Sequence, residues 1–136
     1  MGDSLSKEQA VRAVAQMLNT LAVEPVEALL ADEIHYEVQW HLHGPSGVWL
    51  PFDIYGKDHF MAHMMGLFAS RKSAGQNLFA ELGHVNNDPC LVLADGDKDS
   101  LVATVLVDVV AGKIRHLEFG LTPAPSKVAR SGEYPA

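Results

Sequence analysis

The chain has 136 residues, 48% of them hydrophobic and 20% charged, as expected for one globular domain. Its formal net charge of -7 argues against nucleic-acid and membrane partners, because both present phosphate groups that are bound through clustered Lys and Arg. The single cysteine, Cys90, excludes a disulfide within the chain, and the N-terminus lacks the basic and apolar regions of a signal peptide, so we expect a cytoplasmic protein.

Two helices are predicted at the start of the chain. In "SKEQAVRAVAQMLNTL", Ser6 and Gln9 can form a capping box, and apolar residues then recur at helical spacing. "EPVEALLADE" predicts a second, shorter helix, because Pro25 suits a first helical turn. The first helix therefore presents one apolar stripe to a core.

A β-hairpin is predicted to follow these helices. Residues 34–43, "IHYEVQWHLH", alternate between apolar and polar side chains as a half-buried strand does. "GPSG" at 44–47 supplies turn residues, and "VWLPFDIY" predicts a return strand whose Pro51 suits a sheet edge. One face of the first strand would carry Ile34, Tyr36, Val38, Trp40 and Leu42.

A longer helix and four strands complete the predicted elements. "GKDHFMAHMMGLFAS" predicts a helix whose buried face carries Phe60, Met64, Leu67 and Phe68. Turn residues separate the strands that follow, which we place at 76–85, 90–95, 101–110 and 113–121.

The strand at 101–110, "LVATVLVDVV", is apolar on both faces and therefore needs cover on both sides. Helices can cover one face of a sheet. An identical subunit is the simplest cover for the other face. We therefore expect a homodimer that packs through the sheet.

The order of these elements resembles the nuclear-transport-factor-2-like superfamily, which includes ketosteroid isomerases, SnoaL-type polyketide cyclases and limonene epoxide hydrolases. The similar stretches are "LLADEIHYE", "YGKDHFMAHMMGLF" and "GKIRHLEF", and the likeness covers about residues 6–121. It implies a cone-shaped α+β fold, in which a curved, mixed, mostly antiparallel sheet of about six strands wraps around three helices. Residues 1–121 would form this single domain, and the Pro- and Ser-rich residues 122–136 would form a loose tail.

The resemblance also implies a deep pocket between the helices and the concave sheet, lined mostly by apolar side chains. The base of the isomerases and the asparagine of the hydrolases both fall on Val38, and the acid of the hydrolases falls on Phe119. Tyr36 alone matches a family position, where its phenol can donate a hydrogen bond to a substrate oxygen. The implied substrate-binding residues are Val38, Trp40, Met64, Leu67, Leu117 and Phe119.

Asp53 and His63 are the candidates for moving a proton, which makes them, with Tyr36, the predicted catalytic residues. A carboxylate or imidazole in apolar surroundings can act as an acid or base near neutral pH. The alternative is that Asp53 faces solvent and His63 is a residue of the rim. Tyr55, near the predicted mouth, and Trp49, which could clamp a flat ligand, are further candidates for substrate binding.

Two histidine pairs have the spacing of metal ligands. His41 and His43 share one strand face, and His59 and His63 lie one helical turn apart. The pairs are not expected to converge, and neither an HExxH motif nor a cysteine cluster accompanies them. We therefore expect no metal and no cofactor.

The sequence leaves three functional classes open. The first is a protein that binds a small apolar ligand, which we favour because the expected base is missing at Val38. The second is an enzyme of the isomerase, cyclase, hydratase or epoxide hydrolase kind that uses acid-base chemistry without a metal. The third is a structural domain with a filled interior. The volume of the cavity and the ionisable groups facing it separate these classes.

Overall fold

The computed structural model describes residues 5–45 and 47–130. Its helices are α1 (Lys7–Thr20), a 3-10 helix (Glu24–Leu29), α2 (Lys57–Ala74) and a short 3-10 turn (Pro125–Lys127). Its strands are β1 (Leu30–Val38), β2 (Leu42–Gly44), β3 (Gly47–Trp49), β4 (Phe52–Tyr55), β5 (Leu78–Val85), β6 (Asp88–Asp95), β7 (Leu101–Val110), β8 (Lys113–Gly120) and β9 (Ala129–Arg130). Of the helices in this part of the chain, none is both long and apolar enough to cross a bilayer.

Among the described residues, seven strands form one sheet in the order β4-β1-β8-β7-β6-β5-β9. The pair β1 and β8 is parallel, whereas the other neighbouring strands run antiparallel. Strands β2 and β3 form a separate hairpin. The protein is therefore an α+β domain with a mixed, mostly antiparallel sheet, as predicted.

The helices cover one face of this sheet. The predicted capping box begins α1, with the Gln9 backbone N–H donating to Ser6 Oγ at 3.1 Å and the Ser6 N–H donating to Gln9 Oε1 at 2.8 Å. Val14 and Leu18 of α1, and Phe60 and Met64 of α2, are fully buried in the core. The inner face of the sheet meets them with the buried side chains of Ile34, Tyr36, Val38, Leu117 and Phe119.

The predicted hairpin is built differently from expectation. β1 ends at Val38 rather than His43, so Trp40 leaves the strand and is 53% exposed. β1 pairs with β4, and the small hairpin of β2 and β3 lies between them in sequence. The Gln39 N–H still donates to the Phe119 carbonyl at 2.9 Å, and the chain leaves the sheet at Trp40 and His41, which alternation of apolar residues alone does not reveal.

The C-terminal segment packs on the outer face of the sheet instead of forming a loose tail from residue 122. Thr104 Oγ1 donates to the Pro123 carbonyl at 2.6 Å, and β9 pairs with β5. Val128 is buried against Cys90 and Val92. The chain thus covers part of the apolar outer face that suggested a partner subunit, and residues 131–136 of the predicted tail lie outside the described residues.

Candidate functional site

A cavity of about 210 Å³ lies between the inner face of the sheet, helix α2 and the β2–β3 hairpin. Most of its lining residues come from β1, β3, β4, α2 and the end of β6. Its apolar lining consists of Tyr36, Val48, Trp49, Phe52 and Leu67. Its remaining lining consists of Gly47, His63, Ser70, Arg71, Gln76 and Asp95.

The Tyr36 side chain projects from the middle of β1 and is fully buried. Its ring meets the rings of Phe52, Phe60 and Phe119 edge-on, with centroids 5.2 to 5.5 Å apart. Its hydroxyl has no hydrogen-bond partner among the side chains and backbone of residues 5–45 and 47–130. Burial raises the pKa of Tyr36 far above its usual range, so the phenol stays protonated and remains a hydrogen-bond donor.

His63 approaches the same space from α2. Its ring centroid lies 5.6 Å from that of Tyr36 and 5.0 Å from that of Phe52. Burial lowers the pKa of His63, because the apolar surroundings disfavour the charged imidazolium. The imidazole is therefore neutral near pH 7 and can accept a proton or a hydrogen bond.

A buried ion pair closes the other end of the cavity. Arg71 Nη2, from the last turn of α2, donates to Asp95 Oδ1 at 2.7 Å. Trp49 Nε1 donates to Asp95 Oδ2 at 3.2 Å, and the Arg71 guanidinium lies 5.5 Å from the centre of the Trp49 ring. The pair thereby connects α2, the end of β6 and the β2–β3 hairpin around one polar centre.

No protein-family profile matches the sequence, and no curated protein matches it. Solved structures do match the fold. An NTF2-like protein of unknown function from Cytophaga hutchinsonii aligns over 90% of this chain and 97% of its own, with 17% identity and a TM-score of 0.56. A second, from Mesorhizobium loti, aligns over 85% of this chain and 93% of its own, with 12% identity and a TM-score of 0.58.

A third solved structure, described as a candidate ketosteroid isomerase from Kribbella flavida, aligns over 84% of this chain and 76% of its own. Its identity is 18% and its TM-score is 0.55. The chain has the NTF2-like fold. At this level of identity the likeness concerns the fold and leaves the activity to be argued from the site.

Within this NTF2-like fold, the predicted site residues separate into three groups. Tyr36, His63, Trp49 and Leu67 line the cavity. A second group is buried behind the lining in the core and does not contact the cavity: Val38, Met64, Leu117 and Phe119. Phe119 still supports the site, because its ring stacks on Trp49 at 5.7 Å and meets Tyr36 edge-on.

The third group lies outside the cavity and corrects the prediction. Asp53 and Tyr55 point to the outer face of the sheet, because they pair with Glu37 and His35, which alternate with the inward-facing Tyr36. Asp53 accordingly bonds His35 Nε2 at 2.8 Å, and Tyr55 is 63% exposed. Trp40 also lies outside, so neither Asp53 as an acid or base nor Tyr55 and Trp40 as ligand contacts fits this structure.

The polar end of the cavity was not anticipated. Asp95 follows the apolar run "CLVLA" and precedes a glycine, which predicts the end of a strand but not the full burial of its side chain that is observed at the end of β6. The burial of Arg71 could be predicted from the sequence, because Arg71 continues the buried face of α2 three residues after Phe68. A charged residue on an apolar stripe indicates a buried partner.

The predicted histidine pairs do not assemble a metal site. His41 and His43 are exposed near β2, and His59 Nδ1 contacts the Tyr55 carbonyl oxygen at 3.1 Å while His63 faces the cavity. Within the described part of the chain, three side chains suited to metal ligation come together at another place, on the outer face of the sheet: His35, Glu37 and His116.

Proposed function

We propose that this protein binds a small apolar molecule that carries one oxygen acceptor, in the cavity that Tyr36 lines. The observation that carries the proposal is that Tyr36 lines the cavity while its buried hydroxyl has no hydrogen-bond partner in the described residues. Leaving a buried hydroxyl unsatisfied costs about 1 to 3 kcal/mol. A ligand oxygen that accepts from Tyr36 removes this cost upon binding.

The size of the cavity limits the ligand. A dry apolar cavity of about 150 Å³ accepts benzene, and sites for drug-sized ligands have roughly 300 to 1,000 Å³. The cavity here has about 210 Å³. The part of a ligand that enters the cavity is therefore about one ring with a small substituent.

A matched pair of probes tests this proposal. Cyclohexanone and methylenecyclohexane have nearly the same shape, but only the ketone has an oxygen acceptor. We expect the wild-type chain to bind the ketone about tenfold more tightly, corresponding to one net hydrogen bond of about 1.4 kcal/mol. Ligand-detected NMR measures both affinities.

Two tyrosine variants complete the test. Tyr36→Phe removes the hydroxyl alone, and we expect it to bind both probes with the same affinity. Tyr55→Phe is the control, because Tyr55 is exposed on the opposite face of the sheet. If the ketone preference is absent from the wild-type chain, or survives in Tyr36→Phe, Tyr36 does not recognise the ligand oxygen.

A second candidate function is proton transfer to or from a bound carbon acid, in the manner of an isomerase. It is favoured by one observation: the neutral His63 imidazole and the protonated Tyr36 phenol line the same cavity. The phenol would polarise a carbonyl while the imidazole accepts the α-proton.

Deuterium exchange at the α-carbons of cyclohexanone would reveal this activity. His63→Gln should abolish the exchange without weakening ketone binding. A wild-type chain that binds the ketone and does not accelerate exchange is a binding protein.

A homodimer that packs through the sheet is also proposed. The C-terminal segment already covers Cys90 and Val92, so the support is limited to the uncovered end of β7, where Val110 is 47% exposed. Light scattering at micromolar concentration should give twice the chain mass, and Val110→Lys should give the monomer mass.

A cytoplasmic location is also proposed. It is supported by the single, buried Cys90, because an unpaired cysteine fits a reducing compartment.

A further inference from the structure

The outer face of the sheet carries an ordered patch of histidines and carboxylates. The sequence contains His-x-Glu twice, in "IHYEV" and in "RHLEF". The two copies lie side by side on the parallel strands β1 and β8, where His35 pairs with His116 and Glu37 pairs with Glu118. Because residues two apart on a strand share a face, all four side chains emerge on the face opposite Tyr36.

Three of these side chains converge. Glu37 Oε1 lies 2.7 Å from His116 Nε2, and the rings of His35 and His116 stack with centroids 4.9 Å apart. One ligand atom from each of His35, Glu37 and His116 falls within 4.8 Å of the other two. Their side chains are 20 to 28% exposed, so the cluster is held by the sheet and is still open to solvent.

We propose that His35, Glu37 and His116 bind one divalent transition-metal ion, with Zn²⁺ as the ion that the ligands fit. Nitrogen and oxygen ligands lie about 2.0 to 2.2 Å from Zn²⁺, which separates tetrahedral neighbours by roughly 3.4 Å. The observed separations, from 2.7 Å to at most 4.8 Å, bracket this value. The two histidine rings stack in nearly parallel planes, so they must rotate for both to direct a nitrogen at one ion. Three protein ligands then leave a fourth position open.

The neighbouring carboxylates support the same site. Asp108 Oδ2 lies 3.6 Å from His116 Nδ1, on the side of the ring away from Glu37. Metal-bound histidines usually direct their second nitrogen towards a carboxylate, which orients the ring and increases its basicity. Asp53 contacts His35 in addition, so negative charge surrounds the cluster on several sides and favours a cation.

The ligand types determine which cations are expected. Two imidazoles with one carboxylate suit zinc, cobalt and nickel, whereas calcium and magnesium prefer sites made of oxygen alone. A merely acidic surface would bind Ca²⁺ about as well as Zn²⁺. The expectation of no metal was based on His41, His43, His59 and His63. The site proposed here uses none of them.

To test the proposal, Zn²⁺ is titrated into the chain without an affinity tag, after treatment with EDTA. Competition with a chromogenic chelator measures the affinity and the stoichiometry of Zn²⁺ binding. We expect one Zn²⁺ per chain, and at least tenfold weaker binding after Glu37→Gln or His116→Gln. Glu33→Gln and His41→Gln are the matched controls, because both residues are exposed outside the cluster. Both controls should bind Zn²⁺ as the wild-type chain does.

A second measurement needs no variant, which protects the test against a substitution that fails to fold. Co²⁺ bound to the wild-type chain should give the intense visible absorption of a four-coordinate ion, and excess Ca²⁺ should not displace it. The proposal is overturned if no stoichiometric Zn²⁺ binds, if Ca²⁺ competes equally, or if the control variants lose affinity as much as Glu37→Gln. In that case the cluster is an ion-pair network of the sheet surface.

Discussion

The guanidinium of Arg71 and the carboxylate of Asp95 meet at 2.7 Å, with side-chain exposures of 6% and 1%. They come from the end of α2 and the end of β6, so the contact joins the helix layer to the sheet beside the cavity. Trp49 of the small hairpin bonds the same carboxylate. The pair therefore fixes the shape of the cavity at its polar end.

We predict that breaking this pair is far more harmful than replacing it. Arg71→Met leaves the Asp95 carboxylate without its guanidinium partner, and removing one member of a buried pair costs about 3 to 5 kcal/mol. The double variant Arg71→Met with Asp95→Leu should recover most of that loss. Urea unfolding measures both, and Arg12→Met, which loses only an exposed ion pair with Glu8, is the control. Equal effects of Arg71→Met and Arg12→Met would contradict this assignment.

Gly44 allows the hairpin to approach Asp95. A Cβ atom on Gly44 would lie 2.8 Å from Asp95 Oδ2, an atom that Trp49 also holds. Gly44→Ala should therefore lower the free energy of unfolding by about 1 to 3 kcal/mol, as overpacking does, and should weaken cyclohexanone binding.

The control for this variant is Gly66→Ala in α2, where an added Cβ meets nothing within 4 Å. It should raise the free energy of unfolding by about 0.5 to 1 kcal/mol, because glycine is less favourable than alanine in a helix. Denaturant unfolding compares the two variants. If Gly44→Ala is as stable as the wild-type chain, the contact between the hairpin and Asp95 is not tight.

The depressed pKa of His63 predicts a pH dependence of stability. The folded state takes up the proton of His63 at lower pH than the unfolded state, whose histidine has a pKa of about 6.5. Below about pH 6.5 the unfolded state therefore binds more protons, and stability falls as the pH decreases towards the lower pKa of the folded state. His63→Gln should lose less stability than the wild-type chain between pH 7.5 and pH 5.5.

Chemical denaturation at both pH values measures this difference. His59→Gln is the control, because His59 is exposed on the same helix. A His63→Gln variant whose stability changes with pH as that of the wild-type chain does would show that His63 is solvated rather than buried.

The packing of the C-terminal segment predicts the reactivity of the only cysteine. Cys90 is 2% exposed beneath Val128, and burial together with the nearby Asp88 carboxylate raises the pKa of its thiol. Val128→Asp should release the segment and accelerate thiol modification by at least tenfold, since reaction requires exposure and the thiolate. Lys127→Asp, on an exposed neighbour, should leave the rate unchanged. Equal rates for both variants would mean that the segment does not cover Cys90.

The local part of the fold could be predicted from the sequence, and the pairing of distant strands could not. The start of β7 and β8 agrees with prediction to the residue, because turn residues delimit these strands. The parallel pairing of β1 with β8 joins segments about eighty residues apart, and no local pattern encodes its register. The two His-x-Glu stretches therefore lie far apart in the sequence, and only the sheet brings them together.

The same division holds for the candidate site: residues placed by local periodicity could be predicted, and residues placed by the pairing of distant segments could not. Tyr36 and His63 follow from periodicity combined with the family resemblance, and both line the cavity. The sequence left open whether Asp53 faces the cavity or solvent, because the register of β4 against β1 decides its direction. Asp95 depends on a partner from another element, Arg71, and a single sequence does not show which two distant charged residues pair.

The central claim is that the Tyr36 hydroxyl donates a hydrogen bond to a ligand oxygen. The ¹³C chemical shift of carbonyl-labelled cyclohexanone reports this bond directly, because a donor at the oxygen moves the carbonyl resonance downfield. We predict a downfield shift for the ketone bound to the wild-type chain and to Tyr55→Phe, and its loss in Tyr36→Phe. A bound ketone with the same carbonyl shift in the wild-type and Tyr36→Phe proteins would contradict the account.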